Sequence, residues 1–508
     1  MRTHNPLKKN GGKVAEGAQG QTGGGWGRKA LPGFLFLVLA VLAGTDSYVE
    51  PDFWTYLSFA REFSVNPGIL FHDAFSYLPT QDPYVFHEWL ACLGLYGLHQ
   101  AAGPAGVQVF KYALILAALF LTLSTARQRG ASLAASGLAL VLVLPFLPRA
   151  FPLFRAENFS LVFFILFLWV LVRCRETGRH GLLTLLVPAM ALWCNLHGGF
   201  AAGLGLVFAF ALGQALSRQR FLPYLLAGAG CLAATLASPY GPGLWSQVAG
   251  HLFASPGGLE SWDSLAAVAR RGNFGVLHAV FLLYAVTGFL CLAAGKRFEA
   301  TDFLVLSAAV AMPLVAARYI PLALFTFAAL VPAHLESALS PGTRPALRRA
   351  ALAGLALLAV ASCLAFASRA PDIRPQEALA FSTPSRIPEK GASHSCFYPV
   401  DAVRFMAENP ISGKLVTEVC WSGYLLWNFH PAVRTAMDTR LQTVFPPEVR
   451  RLYYAFLWGA PGWDAFLETW PPDYILLYKS PNRTGFLTEH TPFSILYEDG
   501  LCVLFHRG

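Results

Sequence analysis

Asp46, Glu50, Asp52, Asp73, His87 and Glu88 fall between positions 45 and 89 of a chain in which charged residues make up only 13%. Carboxylates gathered like this can accept protons from hydroxyl groups or bind a divalent cation, and a nearby histidine extends both chemistries. The tightest pair is Glu50-Pro51-Asp52. Its plain reading is helix-start chemistry, because carboxylates favour the positive end of a helix dipole. Its functional reading is a carboxylate pair at a membrane edge, acting as general base or metal ligand. Phe86-His87-Glu88-Trp89 also has two readings. Its Trp and His suit anchoring at headgroup level, and its His–Glu pair suits contact with a phosphate or sugar.

The composition says what must position these residues. Hydrophobic residues make up 55% of 508 and the mean hydropathy is +0.47. A soluble protein would carry about twice this chain's charge. Apolar runs of about 16 to 22 residues, broken by short basic or Gly/Pro-containing segments, indicate a polytopic α-helical membrane protein. The net charge of +9 sits mostly in the N-terminal segment and in short loops. That is positive-inside patterning and gives no support to nucleic-acid binding.

Counting positive residues yields about 11 spans, near 31–48, 105–126, 131–148, 158–173, 181–197, 199–216, 222–238, 276–294, 301–317, 319–338 and 349–367. Residues 88–101 are too short to cross comfortably and read as a juxtamembrane helix. Arg127/Arg129, Arg173/Arg175/Arg179, Arg218/Arg220, Lys296/Arg297 and Arg344/Arg348/Arg349 then share the cytoplasmic face. Residues 1–30, basic and Gly-rich, are expected to form a disordered cytoplasmic tail. Residues 31–369 make the transmembrane domain, with outside loops at 45–104 and 239–275; the second loop holds Ser238-Pro239-Tyr240 and Glu260-Ser261-Trp262. Residues 370–395 read as a Pro- and Ser-containing linker. Residues 396–508 read as an extracytoplasmic α/β domain, with a helix over 400–408 and strands near 414–417, 433–437, 474–478, 494–497 and 502–505. The expected location is a bacterial inner membrane. Of nine cysteines, Cys396, Cys420 and Cys502 lie in this domain, where an exported location permits one disulfide.

Within this topology Pro51 begins a helix with Phe53, Tyr56, Leu57 and Ala60 on one face and Thr55, Ser58, Arg61 and Glu62 on the other. The pattern predicts an amphipathic helix lying on the outer interface. Asn195 and His197 end a span on the outer side, where a polar pair needs partners or water. Arg155, Glu157 and Arg318 also fall outside, against the positive-inside trend. Arg155 and Glu157 can compensate each other, whereas Arg318, between apolar spans, suits a lipid phosphate. Trp421-Ser422-Gly423-Tyr424 and Asp438-Thr439-Arg440 read more readily as a core corner and a local ion pair than as a sugar platform. No Walker-type loop, His-Glu-x-x-His or Gly-x-Ser-x-Gly occurs, so nucleotide hydrolysis, zinc proteolysis and serine hydrolysis gain no support.

Taken in order, Glu50-Pro51-Asp52-Phe53-Trp54, Asp73-Ala74-Phe75-Ser76-Tyr77, His87-Glu88-Trp89-Leu90, Asn195-Leu196-His197-Gly198-Gly199-Phe200, Pro239-Tyr240-Gly241, Arg318-Tyr319-Ile320-Pro321, Trp421-Ser422-Gly423-Tyr424 and Asp438-Thr439-Arg440 resemble the polytopic glycosyltransferases of the GT-C superfamily. The likeness is greatest to a bacterial group with a soluble C-terminal domain. Two positions depart from the group's pattern: Glu50 stands where Asp is usual, and Tyr56 where His is frequent. The resemblance implies transfer of a sugar from a polyprenyl-phosphate carrier, held among membrane lipids, to an extracytoplasmic acceptor. It implies Asp52 as general base or metal ligand with Glu50 as its partner, and a divalent cation, magnesium or manganese, on that pair. His87, Glu88, Arg155, His197 and Arg318 are then expected to contact substrate. Two alternatives share the layout: a transporter or flippase of lipid-linked saccharides, and a non-catalytic membrane scaffold. A transporter should show inverted repeats and mid-span charges, and neither is evident.

Overall fold

The computed structural model describes residues 25–152, 154–253, 263–272, 275–294, 299–340, 343, 345–369, 373–386 and 396–508. Of the features singled out above, residues 1–24 of the tail, Glu260, Trp262, Lys296, Arg297, Arg344 and linker residues 370–372 and 387–395 lie outside the described residues. The chain divides into two compact units, Met1–Leu39 and Ala40–Gly508. In the first, residues 25–30 belong to helix Gly25–Ala43 and not to a disordered tail.

Each of the ten expected spans after the first falls on a helix. Trp89–Gln128, Leu133–Ala150, Glu157–Thr177, Ala317–Leu339 and Pro345–Ser368 are long and apolar enough to cross a membrane, and His180–Leu196, Phe200–Leu216, Leu222–Ala237, His278–Ala294 and Ala300–Val315 are shorter apolar helices. The juxtamembrane helix and the span after it are two arms of one helix, Trp89–Gln128, kinked at Gly103 (φ 60°) and Pro104. Glycine reaches that φ without a steric penalty, and proline brings no N–H to the helical ladder.

The far end of the bundle is tied by charge. Arg129 binds Glu176 (2.9 Å), Glu299 (2.6 Å) and Asp302 (2.6 Å), while Arg175 binds Asp302 at 2.7 Å and His334 contacts it at 2.8 Å. Arginines assigned to one membrane face by charge counting therefore meet at one end of the helices. Helix Glu157–Thr177 rises about 30 Å from its acidic start to that cluster, roughly the thickness of a bilayer core.

Strands β1 (Gly413–Thr417), β2 (Val433–Thr435), β3 (Tyr474–Tyr478), β4 (Phe493–Glu498) and β5 (Cys502–Arg507) form one sheet in the order β2-β1-β3-β5-β4. β1 runs parallel to β2 and β3, and β5 antiparallel to β3 and β4. Edge strand β2 does not stay open. Thr435 exchanges backbone hydrogen bonds with Phe75 (3.1 Å) and Tyr77 (3.3 Å) of the first loop, which covers the unpaired edge.

The first-loop helix, Pro51–Val65, is buried from Phe53 through Ala60 without a gap. This corrects the expectation of an interfacial amphipathic helix: Thr55 and Ser58, on its polar face, are fully buried. Helix Val419–Phe429 of the C-terminal domain packs against that face. Arg61 donates to the carbonyls of Leu426 (2.9 Å) and Trp427 (2.8 Å), satisfying acceptors at that helix's C-terminus. His430 meets Glu62 at 3.0 Å and Thr439 donates to Thr55 at 3.0 Å. The sheet domain and the helical bundle accordingly belong to one unit. Gly423 permits the approach, since a Cβ there would lie 2.7 Å from the Thr55 nitrogen and 3.1 Å from the Pro51 carbonyl. Gly423→Ala should cost about 1–3 kcal/mol, the usual cost of overpacking. Thermal unfolding of the detergent-purified protein would register it as a lowered midpoint.

Candidate active site

All seven residues expected to contact substrate or carry chemistry, Glu50, Asp52, His87, Glu88, Arg155, His197 and Arg318, line one cavity of about 1430 Å³. Helix ends bring them together. Glu50 and Asp52 begin the first-loop helix, and Glu88 precedes Trp89–Gln128. Arg155 and Glu157 open Glu157–Thr177, His197 follows Leu186–Leu196, and Arg318 precedes Ile320–Leu339. Polar side chains at helix ends avoid the cost that they would meet in mid-span.

The helix-start reading of Glu50 is not what its geometry shows. Glu50 occupies the N-cap position but makes no side-chain capping hydrogen bond. Burial raises its carboxyl to about 7, with Arg155 opposing and Asp52 adding to the rise. Asp52, in the first turn, receives the Arg155 guanidinium on Oδ2, from Nε and Nη2 at 3.0 Å each. Arg155 also reaches Glu157 at 3.7 Å, and Glu157 accepts from Arg318 at 2.5 Å. One alternating chain of charge, Asp52–Arg155–Glu157–Arg318, therefore runs along the cavity wall. Arg318, read as suited to a lipid phosphate, is paired with Glu157. That pairing could not be seen in the sequence because the two lie far apart along the chain.

Glu88 sits beneath this chain. Tyr56, one of the two departures noted above, donates its hydroxyl to Glu88 Oε2 at 2.9 Å. Burial raises the Glu88 carboxyl to about 7, assisted by the Asp52 charge and opposed by the Tyr56 hydrogen bond and Arg155. His87 and His197 approach Glu88 Oε1 at 3.8 and 3.7 Å. Nδ1 of His197 accepts the Gly199 N–H at 3.0 Å and lies 2.7 Å from Ser160 Oγ, which itself accepts the Trp193 indole N–H at 2.7 Å. With donors converging on Nδ1, the neutral ring carries its proton on Nε2, the nitrogen facing Glu88. Asn195, by contrast, is consumed in packing: it accepts from Trp89 at 3.0 Å and donates to Ala191 at 2.8 Å.

Ligand atoms of His87, Glu88 and His197 lie within 4.8 Å of one another, and those of Glu299, Asp302 and His334 form a second such group. Either could hold a metal ion. In the second group the carboxylates already carry Arg129 and Arg175. The first offers two imidazoles and a carboxylate, a set that suits a zinc-class ion and not the oxygen-coordinated magnesium or manganese expected on Glu50 and Asp52. Among the described residues, neither Glu50 nor Asp52 belongs to such a group.

Three contributors to the cavity were missed in the sequence. Arg149, exposed at the end of helix Leu147–Ala150, lines it beside Pro145, Phe146, Ile320 and Leu322. It makes no ion pair among the described residues, unlike Arg155 and Arg318. Tyr454 and Trp458 line the wall supplied by the C-terminal domain, with rings stacked at 4.8 Å and 21°. Trp458 is 66% exposed. The aromatic motif that drew attention in the sequence behaves otherwise, because Trp421 is fully buried and donates to the Phe397 carbonyl at 2.6 Å.

No protein-family model and no curated protein sequence matches the chain. Its structure matches ArnT from Cupriavidus metallidurans bound to undecaprenyl phosphate, with a TM-score of 0.57 and 15% identity over 95% of this chain and 98% of that one. It also matches the arabinofuranosyltransferase AftD from mycobacteria, with a TM-score of 0.55 and 15% identity over 95% of this chain and 40% of that one. At this identity the likeness is one of overall fold, the GT-C fold, over 95% of the chain.

Proposed function

We propose that this chain of GT-C fold moves a sugar from a polyprenyl-phosphate-linked donor to a hydroxyl acceptor outside the cytoplasm. One observation carries the reading: a single cavity is lined by the carboxylates Glu50, Asp52 and Glu88, by the apolar Pro145, Phe146, Ile320 and Leu322, and by Arg149, which has no ion pair among the described residues. The isoprenoid tail would lie along Pro145, Phe146, Ile320 and Leu322, with the phosphate beside Arg149. ArnT, of similar fold, binds undecaprenyl phosphate.

In the reaction the acceptor oxygen attacks the anomeric carbon, the bond from that carbon to the phosphate oxygen breaks, and the polyprenyl phosphate leaves with the electron pair. Asp52, oriented by Arg155, takes the acceptor's proton. Glu50, poised near neutrality beside it, sets the charge against which that transfer occurs. Arg155 and Arg318 line the same cavity, but their charge is already matched by Asp52 and Glu157. Arg149 has no ion pair among the described residues, so it is the residue that holds the phosphate most strongly. A zinc-class ion held by His87, Glu88 and His197 would supply further positive charge to the same oxygens.

The test is transfer by the purified protein in nanodiscs, offered radiolabelled sugars on undecaprenyl phosphate and a membrane extract as acceptor. Label should leave the lipid fraction with release of undecaprenyl phosphate. Arg149→Ala should reduce transfer about 10²-fold, as loss of one transition-state donor does, mainly by weakening use of the donor. If the lipid stays fully labelled with every sugar while the labelled donor itself crosses the bilayer, the flippase alternative replaces this reading.

A further inference from the structure

Three thiols lie in the C-terminal domain, and the fold separates them into a pair and a bystander. Cys420 is in the first turn of helix Val419–Phe429, and Cys396 lies just before Phe397. Both sulfurs approach the same Tyr478 hydroxyl, at 4.0 Å from Cys420 and 3.9 Å from Cys396. Sharing that hydroxyl places the two sulfurs in one neighbourhood. Cys502 stands apart on β5, with its sulfur 3.7 Å from Asp499.

We propose that Cys396 and Cys420 form a disulfide in the mature protein. The inference rests on the reading above for its compartment, since an exported domain meets an oxidising environment. The order of chemistry follows from exposure. Cys420 is part-exposed and lines the cavity, whereas Cys396 is 1% exposed. As thiolate, Cys420 attacks the disulfide of an exported thiol oxidant and releases one of the oxidant's sulfurs as thiolate. Cys396, deprotonated, then attacks Cys420 Sγ and expels the oxidant as a dithiol. Two protons leave the pair, and its two electrons reduce the oxidant's disulfide. Because both sulfurs flank the Tyr478 hydroxyl, closing the bond asks them to turn toward each other past that group.

The position of the bond gives it a consequence for the acidic turn. On one side of it, the Tyr48 hydroxyl donates to the Cys396 carbonyl at 3.2 Å and Tyr398 donates to the Val49 carbonyl at 2.6 Å. On the other, the helix that begins at Val419 presses Gly423 against Pro51 and Thr55. A Cys396–Cys420 bond thus joins the two supports that hold Glu50 and Asp52 from either side. Reducing it would loosen the turn without touching either carboxylate.

The full-length protein would be alkylated with N-ethylmaleimide in denaturant, directly from membranes, and digested without reductant for mass spectrometry. The expected result is a peptide pair joined through Cys396 and Cys420, with Cys502 alkylated. Alkylation of both Cys396 and Cys420, or a bond from either to Cys502, would overturn the proposal. In Cys420→Ser, Cys396 should become alkylated, a readout that does not depend on activity. A reducing phosphine should slow transfer several-fold in the wild type and leave Cys396→Ser/Cys420→Ser unchanged. A joined pair in a protein that transfers no sugar would reject the enzyme reading and keep the disulfide, and free thiols in an active protein would do the reverse.

Discussion

Asp52→Asn should lower sugar transfer by about 10²–10⁴-fold, the contribution typical of a positioned general base. The substitution keeps the shape of the side chain, and its amide oxygen can still accept from Arg155, which also remains near Glu157. What is lost is the charge that, in the proposed reaction, takes the acceptor's proton. The defect should therefore appear in the maximal rate, with donor binding little changed, in wild-type and variant protein reconstituted side by side. Glu50 provides a second readout. Its carboxyl is raised from the ordinary 4.5 to about 7, burial being the main cause, so it is protonated below that point and ionised above. The wild-type rate should rise as pH increases through about 7, and Glu50→Gln should flatten that limb. Full activity in Asp52→Asn together with loss in Glu50→Gln would transfer the base role to Glu50. The same shift has a stability sign. Protonated Glu50 contributes stability that is present in full below 4.5 and is lost as pH rises through about 7.

The largest loss of stability is expected at Arg440. Its guanidinium is 1% exposed and binds Asp438 through Nε at 3.0 Å and Nη2 at 2.6 Å, Asp73 through Nη2, and the Tyr84 hydroxyl at 3.2 Å. Both carboxylates are themselves 1% exposed. Arg440→Met fills similar space but leaves two buried carboxylates facing each other without a cation. Breaking a buried pair in this way costs about 3–5 kcal/mol. Because Asp73 lies in the first loop and Asp438 in the C-terminal domain, the loss should also undock the loop. The check is a lowered unfolding midpoint in detergent together with new protease cleavage around 70–80. Replacing Asp73, Asp438 and Arg440 together with apolar residues should recover much of the stability, since no unpaired charge then remains. If Arg440→Met unfolds like the wild type, the arginine does not hold the two parts together.

Much of the fold was legible because hydrophobic pattern records solvent. Ten runs after Leu39 became helices near their expected limits, and Tyr474–Tyr478 matched the expected strand. Gly103 and Pro104 mark the kink by backbone chemistry alone. The candidate site was legible as a set, since charged residues in a mostly apolar chain stand out, and the seven singled out share one cavity. Their pairing was not. Arg318 reads as suited to a lipid phosphate, and its partner Glu157 is 161 positions away, while Arg149 drew no notice yet lines the cavity without an ion pair among the described residues. Trp421, which reads more readily as a core corner than as a platform, is core, whereas Trp458, without a motif around it, lines the cavity.

The sequence by itself determined that the chain is a helical membrane protein with polar chemistry at the helix ends and a sheet domain after them. Those properties follow from the cost of burying charge in lipid and from local periodicity. Only the tertiary structure decided what Glu50 and Asp52 are. Their helix was expected at an interface, yet the C-terminal helix Val419–Phe429 covers its polar face. Burial then lifts Glu50 toward neutrality and Arg155 fixes Asp52. A carboxylate's chemistry depends on the groups around it, and those groups come from distant parts of the chain.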